Sequence, residues 1–257
     1  MPPSLLSSVR VETLSTADDY RRAAELYSRV FGYAGSDLGL NANLLSALRK
    51  NGGATLGAVD DSGELVGFVY GFEGTDESRA RYHYSQAAVV DRRYQGTGIG
   101  RRLKTAQREV ALGWGQTHMR WTFDPLLVRN AHFNLVTLGA EGIRYERDFY
   151  DRPGSDRLVV DWNLSRTDDP HQAYRRAHAP ATLAGRPGAV VDADGLGDGA
   201  CWIAIPSAPS VGADPVADRA RLALAEAMNG RILVTCTRID EATSAYLAVP
   251  TTEGETP

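Results

Sequence analysis

Apolar and polar positions along the chain change period several times, and each change predicts an element. Val9 to Leu14 alternates and reads as a strand. Thr16 caps the helix that follows, with Asp18 and Asp19 in its first turn, Tyr20, Ala23, Tyr27 and Val30 on its apolar face, and Gly32 at its end. A second helix holds Leu44, Leu45 and Leu48 and stops at Asn51-Gly52-Gly53. Ala54 to Val59 and Leu65 to Phe72 form a predicted hairpin around Asp60-Asp61-Ser62-Gly63. After a polar loop from Gly74 to Arg79, the strand Arg81 to Val90 puts His83, Ser85, Ala87 and Val89 on one face and Tyr84, Gln86, Ala88 and Val90 on the other. A helix then repeats Ile99, Leu103, Ala106 and Val110, with Arg101, Arg102, Lys104 and Arg108 on the face opposite. A strand from His118 to Phe123 ends at Asp124-Pro125, and a short helix opens at Arg129 and stops at Leu138-Gly139. Ile143 to Tyr150 and Arg157 to Leu164 read as two strands around Arg152-Pro153-Gly154-Ser155.

From Ser165 to about Gly199 the composition turns to Pro, Gly, Ala and Asp, the signature of a linker or loosely ordered segment. Cys201 to Pro206 is a short predicted strand. Ala217 to Met228 is helical with Leu222, Ala225 and Met228 on one side, and Arg231 to Ile239 and Ala242 to Val249 form a last strand pair. The expected organisation is a main domain over residues 1–165, a linker over 166–199 and a small α/β extension over 200–257. No chemical motif falls in the extension, so packing or homodimer formation is its expected use.

Composition narrows the function classes. The chain has 257 residues and 43% apolar content, ordinary for a globular protein with a sizeable core. Its net charge of -4 argues against nucleic acid as the main partner. No apolar run approaches the ~18 to 20 residues of a membrane span. Met1 to Ser8 lacks the basic start and apolar core of a secretory leader, so a cytoplasmic location is the expectation. Cys201 and Cys236 lack paired spacing, and His83, His118, His132, His171 and His178 are scattered, so no metal centre is expected.

The chemistry concentrates at Gln95-Gly96-Thr97-Gly98-Ile99-Gly100-Arg101. Glycines at alternate positions bare backbone N–H groups, and a helix starting there adds its unpaired first-turn donors and the positive end of its dipole, which together suit phosphate. Arg101 and Arg102 oppose that dipole, a local conflict that anionic ligand groups would relieve. A P-loop would need Gly-Lys-Ser/Thr where Gly100 is followed by two arginines, and a dinucleotide fingerprint would need GxGxxG where the spacing is GxGxG.

The same stretch resembles the pyrophosphate loop of the GNAT N-acyltransferase superfamily, Gln/Arg-x-x-Gly-x-Gly/Ala, matched here by Gln95, Gly98 and Gly100. The element order over residues 9–164 is similar too. Trp121 to Leu126, Arg129-Asn130-Ala131 and Ser155-Asp156-Arg157-Leu158 look like a bacterial branch of that superfamily with a C-terminal extension, some of whose members are thought to N-acylate amino acids. The resemblance implies an α/β GNAT fold, a mixed twisted sheet with splayed central strands, plus the small extension. It also implies acetyl-CoA or another acyl-CoA as co-substrate and an amine acceptor. Backbone groups of Ala88, Val89 and Val90 would pair with the pantetheine, and the amides of Gln95, Gly96, Thr97, Gly98, Ile99, Gly100 and Arg101 would hold the pyrophosphate.

Many members protonate the leaving thiolate from a Tyr four residues before the Gly that ends the fourth helix, a position that is Leu135 here. Tyr145 and Tyr150 on the next predicted strand, or His132, are the alternative acids, and Asp124 is the candidate base. Asn130 is a candidate helix cap and CoA contact. His83, Ser85 and Arg129 are candidates to orient the acceptor, Arg129 through a carboxylate. Asp37 to Asn43 corresponds to the segment that forms part of the acceptor pocket in the superfamily. The expected activity is direct transfer of an acetyl or other short acyl group to an amine of a small molecule such as an amino acid. The rivals are an acyl-CoA-binding regulatory protein without turnover and a protein N-acetyltransferase.

Overall fold

The computed structural model describes residues 9–33, 38–208 and 214–251. The Met1–Ser8 stretch and Asp37 lie outside them. The chain divides into two compact units, Met1–Trp121 and Thr122–Pro257.

In the first unit, β1 (Arg10–Thr13), β2 (Ala54–Val59), β3 (Leu65–Thr75), β4 (Arg81–Val90) and β5 (His118–Phe123) follow one another in spatial order. The first four are antiparallel neighbours, whereas β4 and β5 run parallel. α1 (Ala17–Phe31) starts where the capping box predicts: the Thr16 hydroxyl accepts from the Asp19 N–H and the Asp19 carboxylate accepts from the Thr16 N–H. It ends at Gly32, whose φ of 74° is the left-handed conformation of a helix stop. α1 and α2 (Ala42–Lys50) bury Tyr20, Ala23, Leu26 and Leu45 against Phe68, Tyr70 and Val89 of the sheet. Another core joins Ile99 and Leu103 of α3 (Ile99–Gly113) to Val9, Leu56, Ala58, Val66 and Val69.

β3 extends three residues past the predicted Phe72, to Thr75, and its end pairs with the start of β4. The β3–β4 register slips between Tyr70↔Ala87 and Gly71↔Ser85, which leaves Gln86 as a bulged residue on β4.

The second unit orders its strands β7 (Arg157–Asn163), β6 (Glu141–Glu146), β10 (Arg231–Arg238), β11 (Thr243–Pro250), β9 (Cys201–Pro206) and β8 (Val190–Asp192). β6 pairs with β7 and meets β10 at Gly142↔Leu233, so the extension's strands continue the sheet begun by β7 and β6. At Gly142 a Cβ would lie 3.0 Å from Leu233 Cβ and 3.1 Å from a Leu158 methyl, so the missing side chain is what admits that approach. The stretch 166–199, read from composition as a linker, contains α5 (Gln172–Arg175), β8 and the buried Leu183 and Ala193. Arg175 donates to the carbonyls of Leu135, Val234 and Gly139 and pairs with Asp169, which ties α5 to its neighbours.

α6 (Pro215–Ala227) is capped by Asp214, whose carboxylate accepts from the Val216 N–H at 2.9 Å. Its buried side is Ala217, Ala220, Ala223, Leu224 and Ala227, continued by Met228 at its cap; of the predicted Leu222–Ala225–Met228 stripe Met228 is buried, Ala225 is half-buried and Leu222 is exposed. This side packs on β9. Among the described residues no helix is long and apolar enough to cross a membrane, and no group of three or more acidic, His or Cys side chains is arranged to hold a metal ion.

Candidate active site

The glycine loop is held open by side chains at its start. Asp91 is buried and accepts from the Arg93 N–H at 2.9 Å, from Arg93 Nε at 3.1 Å and from Arg29 at 3.1 Å. The Arg93 contact leads in holding its carboxyl at about 2. Tyr94 donates to Asp60 at 2.8 Å, Gln95 Nε2 donates back to the Val90 carbonyl at 3.0 Å, and the Thr97 hydroxyl donates to the Tyr94 carbonyl at 2.5 Å. Gly96 and Gly98 then take φ values of 81° and 88°, which side-chain-bearing residues rarely adopt. A Cβ at either would meet nothing within 4 Å, so the conformation rather than crowding requires glycine and the loop's surface is open.

Gly98 caps α3 without a side chain, and the first helical bond runs from the Arg102 N–H to the Gly98 carbonyl at 3.1 Å. The N–H groups of Ile99, Gly100 and Arg101 precede that bond in the first turn, where a helix presents its donors outward. Donors, dipole and open surface fit a pyrophosphate. Arg101 is exposed beside them. Arg102 is not equivalent to it: its guanidinium donates to the Val9 carbonyl, so part of its expected phosphate role is taken by an anchor to the chain before β1.

β4 and β5 hold a parallel register at two pairs, His83↔Met119 and Tyr84↔Arg120. Ser85 and Trp121 are therefore the first residues past the ladder. Ala88, Val89 and Val90 keep one β4 edge paired with β3, through Val69, Phe68 and Gly67.

Lys104, predicted on the exposed face of α3, is buried at 2% exposure. Its Nζ donates to the Ser85 hydroxyl at 2.8 Å and sits 3.6 Å from the centre of the Trp121 ring. Ser85 donates in turn to Gln107 Oε1 at 2.8 Å. Burial pushes the Lys104 amine well below its ordinary value. A signal was present: Leu103, Gln107 and Ala111 recur at spacings of four, which places Gln107 on the buried stripe and Lys104 beside it. Charge alone argued the other way.

His83 is fully buried against the Trp114 ring at 5.2 Å, with both ring nitrogens lacking a hydrogen bond. Burial, aided by the Lys104 charge, lowers it to about 4, and the nearby Gln116 opposes this only in part. His83 and Ser85 thus face the interior beside Gln107 and Lys104; they do not line an exposed surface.

In the second unit the candidate base Asp124 and the carboxylate that holds the candidate acid Tyr145 both lie beside Arg221. Asp124 accepts from Arg221 of α6 at 3.2 Å and from the Leu126 N–H at 3.0 Å. Tyr145 donates to Asp156 at 2.5 Å, and Arg221 lies 3.8 Å from that same carboxylate oxygen. Burial first and the Asp156 carboxylate second raise the Tyr145 phenol above its ordinary value. Arg221 and Asp156 were missed as partners, because 97 residues separate Arg221 from Asp124 and no local pattern links them.

Tyr150 lies beyond β6 in a turn at 46% exposure, packed edge-on to Phe149 and under Arg157, and so is not on the predicted strand. α4 (Val128–Ala131), continued by a wider turn over His132–Thr137, begins after Leu127, which places Asn130 inside the helix and corrects its reading as the cap. Asn130, Arg129 and His132 are exposed, and Leu135 is fully buried.

Residues 20–133 match the acetyltransferase (GNAT) family model. A nourseothricin acetyltransferase structure is 18% identical over 62% of this chain and 99% of its own, with a TM-score of 0.47. The ribosomal-protein-S18-alanine N-acetyltransferase of Escherichia coli is 14% identical over 63% of this chain and 97% of its own, with a TM-score of 0.48. A GNAT family N-acetyltransferase of Escherichia coli, solved in complex with CoA, is 22% identical over 64% and 85%, with a TM-score of 0.43. No curated protein sequence matches the chain.

Proposed function

We propose that this chain, whose residues 20–133 match the acetyltransferase (GNAT) family model, transfers an acetyl or other short acyl group from CoA directly to an amine of a small molecule such as an amino acid. The observation that carries this reading is the Gly96–Gly98 loop opening onto the first turn of α3. The amides from Gln95 to Arg101 hold the pyrophosphate, with Arg101 adding charge, and the backbone of Ala88 to Val90 aligns the pantetheine along β4. A neutral amine then attacks the thioester carbonyl, the C–N bond forms, the C–S bond breaks, and sulfur takes a proton.

No thiol enters this route. Burial raises the Cys201 thiol and pushes Cys236 up to about 12, so neither is a ready nucleophile. Asp124 is paired with Arg221 and holds that guanidinium in place.

The test is thiol release measured across acyl-CoAs and amino acids. Acceptor-dependent release supports the reading, and CoA binding without release under every pairing would replace it with the second one. That second reading, an acyl-CoA-binding protein without turnover, is favoured by the buried Leu135 and by the Tyr145 hydroxyl being committed to Asp156.

A further inference from the structure

β4 and β5 part at one point, and three features coincide there. The parallel ladder ends at Tyr84↔Arg120, so Ser85 and Trp121 would form its next pair. The register of β4 against β3 slips at the same residue, between Gly71↔Ser85 and Tyr70↔Ala87. Such a bulge bends its strand and strengthens the local twist, which works against a longer ladder with β5. Lys104 of α3 is the third feature: its Nζ donates to the Ser85 hydroxyl at 2.8 Å and lies 3.6 Å from the centre of the Trp121 ring.

α3 grips Ser85 twice. The Ser85 hydroxyl donates to Gln107 Oε1 at 2.8 Å, and its oxygen keeps lone pairs with which it accepts from Lys104. Lys104 and Gln107 stand at i and i+3, on one face of the helix. On β5 the amine meets the Trp121 ring and, at 3.9 Å, the Met119 sulfur. A charged or a neutral amine makes the serine and ring contacts, so the arrangement does not depend on protonation. Ser85, Lys104 and Trp121 are all buried, and water does not compete for either contact. Neighbouring strands lie ~4.8 Å apart. Nζ is in contact with both side chains, so bringing Ser85 opposite Trp121 at that spacing means displacing it.

We propose that Lys104 is a positioning residue for acyl-CoA: it stops the β4–β5 ladder at Tyr84↔Arg120 and so keeps the edge of β4 beyond Ser85 free for the pantetheine arm. The inference rests on the acyl-CoA reading above. Ala88, Val89 and Val90 give one edge to β3. A ladder running on past Ser85↔Trp121 would begin to take the other, and the arm would have to break it before binding. Lys104 acts through Ser85 and Trp121, not by contact with the reacting atoms. It stands five residues into α3 from Ile99, about 7.5 Å along the axis. The helix whose first turn faces the pyrophosphate therefore also sets where the strands divide.

The experiment measures two probes by calorimetry: CoA, and adenosine 3′-phosphate 5′-diphosphate, which is CoA without its pantetheine arm. The proteins are the wild type, Lys104→Leu, Ser85→Ala and Ser85→Thr. Leucine is apolar, forms helix readily and is too short to reach Ser85. In Lys104→Leu and Ser85→Ala the affinity for CoA falls by about tenfold or more, because the fork is no longer held ready for the arm. Affinity for the nucleotide stays within about twofold of wild type, since the glycine loop is untouched. Ser85→Thr keeps the hydroxyl and the wild-type affinity for both probes. Unchanged CoA affinity in a folded Lys104→Leu overturns the proposal, and so do equal losses for both probes, which would leave Lys104 a general structural role. If Lys104→Leu does not fold, Ser85→Ala decides by the same two comparisons. A wild type that binds CoA no more tightly than the nucleotide overturns the pantetheine pairing and the proposal with it. The expected split in a protein that releases no thiol with any acceptor supports the ladder stop and overturns the acyltransferase reading alone.

Discussion

Arg221 of α6 donates to both carboxylate oxygens of Asp124, at 3.2 and 3.4 Å, across 97 residues of sequence. It also stands 3.8 Å from Asp156, the acceptor of the Tyr145 hydroxyl. One guanidinium from the C-terminal region therefore neutralises two carboxylates beside β5 and β7. Arg221→Met should destabilise the protein by on the order of 1–3 kcal/mol, because it leaves half-buried carboxylates uncompensated. Urea denaturation checks this, and a midpoint equal to wild type would show that the network is solvated. Tyr145→Phe should cost stability while changing kcat by less than about tenfold, since the phenol's proton is already committed to Asp156.

Gly98 holds φ 88° on an open surface. Gly98→Val should fold, at a cost of roughly 1–2 kcal/mol for the left-handed backbone, and should lose CoA affinity by more than about tenfold. Calorimetry with the folded variant decides it; unchanged affinity would remove the loop from CoA binding.

Arg101 and Arg102 should separate. Arg101→Gln weakens CoA binding, most at low salt, and leaves the melting temperature almost unchanged. Arg102→Gln lowers the melting temperature, because the Val9 carbonyl loses its donor. Equal melting temperatures in the two variants would contradict the anchor.

His83 makes stability depend on pH. Its folded value of about 4 lies below the ordinary 6.5, so the unfolded chain binds the extra proton first as pH falls. The native state should keep this contribution above pH 6.5 and lose it progressively toward pH 4, by up to about 3 kcal/mol at 1.4 kcal/mol per unit. Chemical denaturation of wild type and His83→Leu across that window gives the test: the variant should show a flatter slope, and parallel curves would mean that His83 does not titrate there.

Transfer should proceed without an acyl-enzyme. The Cys201→Ala, Cys236→Ala double variant should retain turnover, and initial-rate lines against the two substrates should intersect. Parallel lines, or an acylated protein in the mass spectrum without acceptor, would require a covalent route.

Periodicity and turn chemistry were sufficient for most elements. The Thr16 capping box, the Gly32 stop, the strand from Arg81 to Val90 and the strand from Cys201 to Pro206 are written in residues that are neighbours in the chain, and backbone hydrogen bonding responds to neighbours first. The glycine loop was legible for the same reason: left-handed φ at Gly96 and Gly98 is a local property of residues without a Cβ. Burial of charge was not local. Lys104 lies inside because Trp121, Met119 and Ser85 close around it from two strands, and a sequence pattern that assigns cations to solvent has no access to that enclosure. Likewise Asp124 and Tyr145 were found as lone titratable residues, while Arg221 and Asp156, which set what their protons can do, were brought to them only by tertiary packing. Electrostatics falls off with distance in space, not with separation along the chain, so the elements could be read from the sequence and the protonation chemistry only from the folded structure.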